Sequence, residues 1–347
     1  MGSGSYLTKP RPPFRDVRRK IKALKRLNLR QADIDSLKKE LAPLLHHYVH
    51  PSPLLQSGER IFRAVPWPAR PTHRDELTYP PAQKVNHGRC NRLGEPVFYG
   101  SVGSTAAIQE LTPIHGVRLA LAMWRVTKPI MLASLGYSET AFVKMGSERW
   151  SNVWWRQSLG DPEPPAAKNR ENMLLDRFLA DEFTRKIPKN GEWRYKLSIA
   201  IAETFLKAKP AESISGVAIP GVLNAGDSLT GIEVGGVVYP SIATDANDDN
   251  VALKCSVADN CLEFVWVHYL EIVRKKDADE FSMKGLDYAN QLSSSGEIQW
   301  KSTFPNTIAA GTDFHIQMDG IALVMKDSLG RLIGKFGESE ESAPANP

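Results

Sequence analysis

An arginine, a tyrosine and a glutamate lie at short, regular spacing in the first third of the chain. Arg89 lies in a Gly-Arg-Cys-Asn segment, Tyr99 follows ten residues later, and Glu110 comes eleven residues after that. A guanidinium is a rigid fork for phosphate oxygens, a tyrosine ring offers an aromatic face, and a carboxylate stabilises positive charge. Positive charge develops on a sugar when a bond to its anomeric carbon breaks, so this set suits that chemistry.

A second group of polar residues lies far downstream. Ser241 ends a Tyr-Pro-Ser segment, and Asn250 opens an apolar run nine residues later. Ser241 could hydrogen-bond a ribose or carboxamide group with support from Asn250, or it could be only a turn residue after the proline. Arg63 is a candidate for a second phosphate contact, with a structural role as its alternative.

The order and spacing of these segments resemble the RES domain, a family named for its arginine, glutamate and serine. The resemblance covers about residues 60–270. The matching segments are, in chain order, Arg60–Ala64, Leu77–Pro81, Gly88–Asn91, Pro96–Gly100, Thr105–Glu110, Gly236–Ser241 and Asn250–Leu253. Two features depart from the family pattern. Residues 215–235 form an extra stretch before the serine segment, and the regions before and after the matching part are longer than in a minimal member of the family.

The resemblance implies a fold, a substrate and residue roles. The fold would be α+β, with an ADP-ribosyltransferase-like split β-sheet and a cleft for NAD, and no metal is expected. NAD would be consumed as a substrate by hydrolysis or phosphorolysis of the nicotinamide–ribose bond, as in the many family members that are toxins acting by NAD depletion. The resemblance assigns Arg89, Tyr99, Glu110 and Ser241 to catalysis, and Arg63, Arg89, Tyr99, Ser241 and Asn250 to NAD binding.

Other functions and partners remain open at this point. A protein mono-ADP-ribosyltransferase would break the same bond in the same cleft and differ in its acceptor. Many family members are encoded beside an antitoxin that occludes the cleft, so an antitoxin or immunity protein and a protein acceptor are candidate partners. A third possible function is a basic nucleic-acid-binding module whose RES-like part is inert. The complete Arg-Tyr-Glu set argues against this function, so nucleic acid is not expected as a partner.

Each residue of that set also has a structural alternative. Arg89 could form a surface ion pair, Tyr99 could be only a core residue, and Glu110 could lie on a helix surface. Other site patterns find no support, because GxGxxG after a strand, GxxxxGK[ST], CxxC and HExxH do not occur.

The elements that must position these residues show a mixture of helical and strand patterns. The predicted strands are Val97–Tyr99, Val117–Val126, Ile130–Leu132, Val217–Ile219, Gly236–Tyr239, Ala252–Cys255 and Phe264–Val267. The predicted helices are Thr105–Leu111, Asn169–Lys186 and Trp193–Lys207. We expect the second and third strands to form a pair, because only a short break at Lys128-Pro129 separates them.

Three domains are expected along the chain. Residues 1–55 would be a basic helical hairpin, and residues 56–275 would be the RES-like catalytic domain. Residues 276–347 would be a small β appendage with a disordered acidic tail, and residues 1–5 are typical of a tag remnant. The strands predicted in this last region are Phe314–Met318, Ile321–Met325 and Leu332–Phe336.

The hairpin carries much of the formal net charge of +5. Its apolar stripes are Phe14, Val17, Ile21, Leu24 and Leu27 on one helix, then Ile34, Leu37, Leu41, Leu45 and Tyr48 on the other. The basic residues between Lys9 and Lys39 could attract nucleic acid, an anionic membrane or an acidic partner, or could form a solvated helix face. His46, His47 and His50 could bind a metal, but a helix C-terminus also favours histidine.

Composition adds expectations about location and redox state. No apolar run approaches the roughly 20 residues of a membrane span and no signal pattern is present, so a cytoplasmic protein without a membrane partner is expected. Three cysteines cannot form a disulfide framework. Cys255 and Cys261 could form one disulfide, but reduced thiols are expected. Trp150, Trp154 and Trp155 favour a packing cluster, and the oligomeric state is left open.

Overall fold

The computed structural model of the chain describes residues 12–45, 48, 53–112, 114–147, 170–188, 190–207, 234–275, 281–301, 313–319, 322–327 and 332–336. These residues form a mixed α+β fold, as the sequence predicts. No helix among them has the length and apolarity needed to cross a bilayer. The histidine, tryptophan-cluster, Val217–Ile219 and acidic-tail predictions lie outside the described residues.

Seven helices lie in the described part of the chain. They are α1 (Phe14–Leu24), α2 (Ile34–Leu45), α3 (Ser104–Gln109), α4 (Glu139–Met145), α5 (Arg170–Phe183), α6 (Lys196–Leu206) and α7 (Cys255–Cys261). Short 3-10 turns occur at Arg74–Leu77, Ala82–Lys84 and Glu192–Tyr195. The last turn leads directly into α6, so the helix predicted from Trp193 begins with a tighter turn.

Twelve strands within the same residues form one sheet. They are β1 (Leu54–Leu55), β2 (Arg60–Pro66), β3 (Phe98–Ser101), β4 (Arg118–Val126), β5 (Ile130–Ser134), β6 (Gly236–Pro240), β7 (Asp249–Leu253), β8 (Leu262–Lys275), β9 (Phe281–Ala289), β10 (Asp313–Asp319), β11 (Ala322–Asp327) and β12 (Leu332–Phe336). Their spatial order is β1-β5-β6-β7-β3-β2-β4-β8-β9-β10-β11-β12. The β5–β6 pair is parallel, and the other described pairs are antiparallel.

Strand pairing is weakest at the centre of this sheet. Every residue of β2 pairs with β4, and every residue of β3 pairs with β7. Between β2 and β3, however, only Phe62 and Ser101 are paired. The two halves of the sheet therefore meet at a single point and diverge beyond it.

The N-terminal hairpin packs on the helices of the central region. Val17, Ile21 and Leu24 of α1 are buried, as the apolar stripe predicts. They share one hydrophobic core with α2, α5, α6 and the buried Cys90. Among the described residues, the apolar face of the hairpin is therefore buried against the helices of the central region.

Leu27 does not belong to the stripe in which the sequence places it. α1 ends at Leu24, and Leu27 is 42% exposed in the turn that follows. Leu29 is instead buried in the core after this turn. The helical spacing fails here because the chain leaves the helix before the stripe is complete.

Three further differences concern the strands. β4 and β5 follow each other in sequence but are not neighbours, because β4 lies between β2 and β8 while β5 lies between β1 and β6. The short helix α7 occupies the segment before β8, which begins earlier and is longer than predicted. β1, β2 and β9 were not predicted as strands. In β9 the alternating buried positions are Met283, Gly285, Asp287 and Ala289, and only two of these have apolar side chains.

The C-terminal strands occur close to the predicted positions. β12 matches its prediction, and β10 and β11 differ from theirs by one or two residues. β9 pairs with β8 on one side and with β10 on the other. The sheet therefore continues across the boundary expected at residue 275.

Candidate functional site

Three of the predicted site residues form one hydrogen-bonded cluster. Glu110 follows the last turn of α3, Ser241 follows β6, and Asn250 lies in β7. Glu110 Oε1 accepts hydrogen bonds from Ser241 Oγ at 2.6 Å and from Asn250 Nδ2 at 2.6 Å. The sheet brings them together because β6 and β7 are antiparallel neighbours, and Ser241 N donates back to Asp248 O at 2.9 Å.

The two donors of this cluster are buried, whereas the glutamate is exposed. Ser241 is 0% exposed and Asn250 is 6% exposed. Asn250 Oδ1 accepts a hydrogen bond from Ser101 Oγ at 2.7 Å, so both ends of its amide are engaged. Glu110 Oε2 makes no hydrogen bond with the described residues. The carboxylate is thus held through one oxygen and presents the other to solvent.

Arg89 is oriented by the C-terminal end of α5. Its Nη1 donates to Glu182 O at 3.1 Å and its Nη2 to Arg185 O at 3.2 Å. Carbonyls at a helix C-terminus carry partial negative charge, so they favour a cation there. A guanidinium has five N–H donors, and these two bonds leave donors for a ligand. No described acidic side chain pairs with Arg89, which excludes the surface ion pair for the described residues.

Tyr99 holds the loop that carries Arg89. Its hydroxyl accepts a hydrogen bond from Cys90 N at 2.7 Å and donates one to Asn91 Oδ1 at 2.8 Å. Burial raises the pKa of Tyr99 well above its ordinary value, with the neighbouring Cys90 as the next cause. The ring packs against the core beneath the hairpin, so the structure favours a positioning role over an open aromatic face.

Gly88 is required by this loop. A Cβ atom at Gly88 would lie 2.2 Å from Asn91 Oδ1 and 2.8 Å from the Tyr99 hydroxyl oxygen. Ser198 Oγ of α6 also donates to Arg89 O at 2.8 Å. Gly88 N donates to Asn91 O at 3.2 Å, so hydrogen bonds hold the loop backbone at Gly88 N, Arg89 O and Cys90 N.

Arg63 lies apart from the glutamate cluster, where β2 and β3 diverge. Its Nη1 donates to Tyr99 O at 2.6 Å, and its Cζ is 5.7 Å from the centre of the Phe98 ring. Burial lowers the pKa of Arg63 to about 10, and its buried Nε has no hydrogen-bond partner. Arg63 therefore forms a hydrogen bond with the backbone of β3 but has no acidic partner among the described residues.

Tyr239 connects Arg89 with the glutamate cluster, and the sequence alone did not single it out. Arg89 Cζ lies 5.9 Å from the centre of the Tyr239 ring, and Tyr239 opposes Asn250 in the sheet. Burial raises the pKa of Tyr239 well above its ordinary value, and the charge of Glu110 contributes after Cys90. The sequence signal for Tyr239 is its position two residues before Ser241, because residues two apart along a strand project to the same face.

An ionic network ties the Arg89 loop to the hairpin and to α6. Arg92 donates to Glu203 Oε1 at 2.6 Å and to Asp35 Oδ1 at 2.5 Å. Lys38 and Lys207 also bind the Glu203 carboxylate, at 2.9 and 3.1 Å. Burial alone would raise the pKa of Glu203, but hydrogen bonds from Arg92, Lys38 and Lys207 lower it to about 2.

This network should make the protein acid-sensitive. A carboxyl group whose pKa is lower in the folded than in the unfolded chain stabilises the fold at pH values above its unfolded pKa of about 4.3. This stabilisation is lost as the pH falls from about 4.3 towards about 2. We therefore expect the melting temperature to fall over this interval, measured by circular dichroism. Glu203→Gln should remove part of this acid dependence and lower the free energy of unfolding at pH 7 by about 3 kcal/mol. Glu40→Gln, which breaks an exposed pair with Lys20, is the control and should cost less than about 1 kcal/mol. A full acid dependence in Glu203→Gln would contradict the assignment.

Two surface cavities lie elsewhere on the molecule. One of about 540 Å³ is lined by residues 66–68, 116–118 and 271, and one of about 330 Å³ includes Lys38, Lys39 and Lys207. Neither cavity is lined by a predicted site residue. Among the described residues, no group of three or more histidine, cysteine or acidic side chains could hold a metal ion.

The structure thus groups the predicted residues unequally. Glu110, Ser241 and Asn250 are in direct contact, and Arg89 and Tyr99 lie beside them on the same side of the sheet as Tyr239. Arg63 is joined to them only through the Tyr99 carbonyl. Comparison of the chain with protein-family models and with curated proteins gave no match.

Proposed function

We propose that this chain is an NAD-consuming enzyme that cleaves the nicotinamide–ribose bond. The observation that carries the proposal is the Glu110 carboxylate, fixed through Oε1 by Ser241 and Asn250 and open at Oε2. Glu110 also lies near a cation, Arg89, across the Tyr239 ring. A fixed carboxylate and a fixed guanidinium on one side of the sheet can bind the ribose and the adjoining pyrophosphate of a dinucleotide.

The chemistry follows from the charge that develops as the bond breaks. Nicotinamide leaves with the bonding electron pair, and the ribose acquires oxocarbenium character that a nearby carboxylate stabilises. Because Ser241 and Asn250 already hold Oε1, the carboxylate does not have to reorganise during the reaction. Oε2 is then available to bind a ribose hydroxyl.

The cationic groups suit the pyrophosphate of NAD. Arg89 keeps donors beyond its two bonds to the end of α5, and Arg63 lacks an acidic partner among the described residues. The single residue pair between β2 and β3 is compatible with the split sheet of an ADP-ribosyltransferase-like fold. These features are compatible with the RES-domain resemblance. On that resemblance alone we propose further that the chain is a toxin that depletes NAD, with an antitoxin as a candidate partner.

The acceptor of the ADP-ribosyl group decides between the possible reactions. Water would give ADP-ribose, inorganic phosphate would give ADP-ribose 1″-phosphate, and a protein side chain would give a modified protein. We propose NAD degradation first and protein mono-ADP-ribosylation as its alternative. The purified full-length chain should be incubated with NAD, with and without phosphate, and the products separated by chromatography.

We expect free ADP-ribose or its phosphate to form without any added protein acceptor. A phosphate-dependent product would assign phosphorolysis, and ADP-ribose in both conditions would assign hydrolysis. Nicotinamide release only after addition of a protein acceptor would favour the transferase. NAD left intact in every condition by a folded chain would overturn the proposal.

A further inference from the structure

Four exposed cations lie along one face of the N-terminal hairpin without an acidic partner in the described part of the chain. They are Arg15, Arg18, Lys22 and Arg26. At 100° per residue Arg15, Arg18 and Lys22 fall within a narrow sector of α1, on the side away from the buried Val17, Ile21 and Leu24. Arg26 lies in the turn that follows the helix. The other cations of the helix differ, because Arg19, Lys20 and Lys25 pair with Asp16, Glu40 and Asp181.

Two further arginines flank the Trp193 ring, Arg30 in the turn between α1 and α2 and Arg194 in the 3-10 turn Glu192–Tyr195. Arg30 Cζ lies 4.9 Å from the centre of the Trp193 ring, and Arg194 Cζ lies 5.1 Å from it. Lys196 Nζ fixes the end of the hairpin turn by donating to Arg30 O at 3.1 Å and to Ala32 O at 2.9 Å. We call these six residues, Arg15, Arg18, Lys22, Arg26, Arg30 and Arg194, the cationic surface.

We propose that the cationic surface binds a polynucleotide through its phosphate backbone. A row of cations on α1, about 10 Å long from Arg15 to Lys22, together with those of the following turn can neutralise successive phosphates, which releases condensed counterions and drives binding. Guanidinium groups beside an aromatic ring add a plane on which an unpaired base can stack. The intact Arg-Tyr-Glu set disfavours nucleic acid as the main substrate of the chain, but it does not exclude a separate binding surface.

The structure favours nucleic acid over a lipid surface as the occupant. A helix that lies on a membrane inserts its apolar face among the acyl chains. The apolar face of α1 is already buried in the protein core, so only its charged face is available. An anionic membrane would gain electrostatic attraction from this surface but no apolar insertion.

The cationic surface leads towards the candidate site. Trp193 and Tyr195 belong to the same 3-10 turn, and the Tyr195 ring lies 5.5 Å from Arg89 Cζ. A polynucleotide bound along the cationic surface would therefore extend to the neighbourhood of Arg89. Binding at this surface is a property separate from NAD cleavage and is measured without NAD.

The test is fluorescence anisotropy of a labelled single-stranded DNA of about 20 nucleotides, titrated with the full-length chain from about 50 to 300 mM salt. The variant combines Arg15→Gln, Arg18→Gln and Lys22→Gln. Losing three phosphate contacts should reduce the slope of log K against log salt by about 2 and weaken binding by about 10²-fold at 0.1 M salt. The matched control combines Lys84→Gln, Lys128→Gln and Lys144→Gln, which are exposed on other elements, and should bind within about 3-fold of the parent.

A second variant, Arg194→Ala, probes the other end of the surface without altering the hairpin. It should reduce the slope by about 0.7 if one phosphate contact is lost. Equal losses in both triple variants would overturn the proposal, because binding would then follow net charge alone. Absence of binding at about 50 mM salt would also overturn it. Binding of the chain to phosphatidylserine vesicles or to polyglutamate would also overturn the proposal if excess DNA did not displace it.

Discussion

Glu110→Gln is expected to lower the rate of nicotinamide release by about 10²–10³-fold, the usual cost of one transition-state electrostatic contact. The amide keeps the shape of the side chain, and its oxygen still accepts hydrogen bonds from Ser241 and Asn250. What it loses is the negative charge beside the ribose. Because Glu110 is exposed, the melting temperature should change little.

The matched control for this substitution is Glu263→Gln. Glu263 is also exposed, but it pairs with Arg125 on the β4–β8 strands instead of with the candidate site. Its turnover should stay within about 2-fold of the parent, since a solvated surface pair contributes little. Equal turnover in Glu110→Gln and Glu263→Gln would remove the carboxylate from the mechanism.

Asn250→Asp should be the second most damaging substitution. The new carboxylate would face Glu110 Oε1, to which Asn250 Nδ2 now donates at 2.6 Å. Two carboxylates at this distance cannot both ionise readily, so the folded state would retain a proton that the unfolded chain has lost. Stability should therefore fall as pH rises from about 5 to about 8, by about 1–3 kcal/mol relative to the parent. Turnover at neutral pH should fall with it, because the proton shared between the two carboxyl groups reduces the negative charge that Glu110 presents to the ribose.

The pH series separates this effect from a simple packing defect. Asn260→Asp introduces the same charge at an exposed position of α7 and serves as the control. Thermal melting of both variants should show a pH-dependent loss for Asn250→Asp alone. A pH-independent loss would mean that the new carboxylate does not interact with Glu110.

The hairpin and the main elements could be predicted because their signals are local. The spacing of Val17, Ile21 and Leu24 determines the buried face of α1 without reference to the rest of the chain. The strand β9 lacked such a signal, since its buried positions include Gly285 and Asp287. The order of the strands in the sheet could not be predicted either. The separation of β4 from β5 depends on the strands that lie beside them, which are β2 and β8 for β4 and β1 and β6 for β5.

The candidate site shows the same division between local and distant information. Segment order in the RES-like pattern indicated Glu110 and Ser241 together, although 131 residues separate them. The helix end that binds Arg89 lies 93 residues downstream, and no local pattern reports that contact. The use of the Tyr99 hydroxyl to hold the Arg89 loop depends likewise on how the loop folds back over β3.

The most direct measurement is a time course of nicotinamide release from excess NAD by the purified full-length chain. We predict nicotinamide in large molar excess over protein, because a positioned carboxylate and guanidinium should act through many turnovers. Circular dichroism on the same sample establishes that the chain is folded. A folded chain that leaves NAD intact, or releases no more nicotinamide than the Glu110→Gln variant, would contradict NAD cleavage at this site.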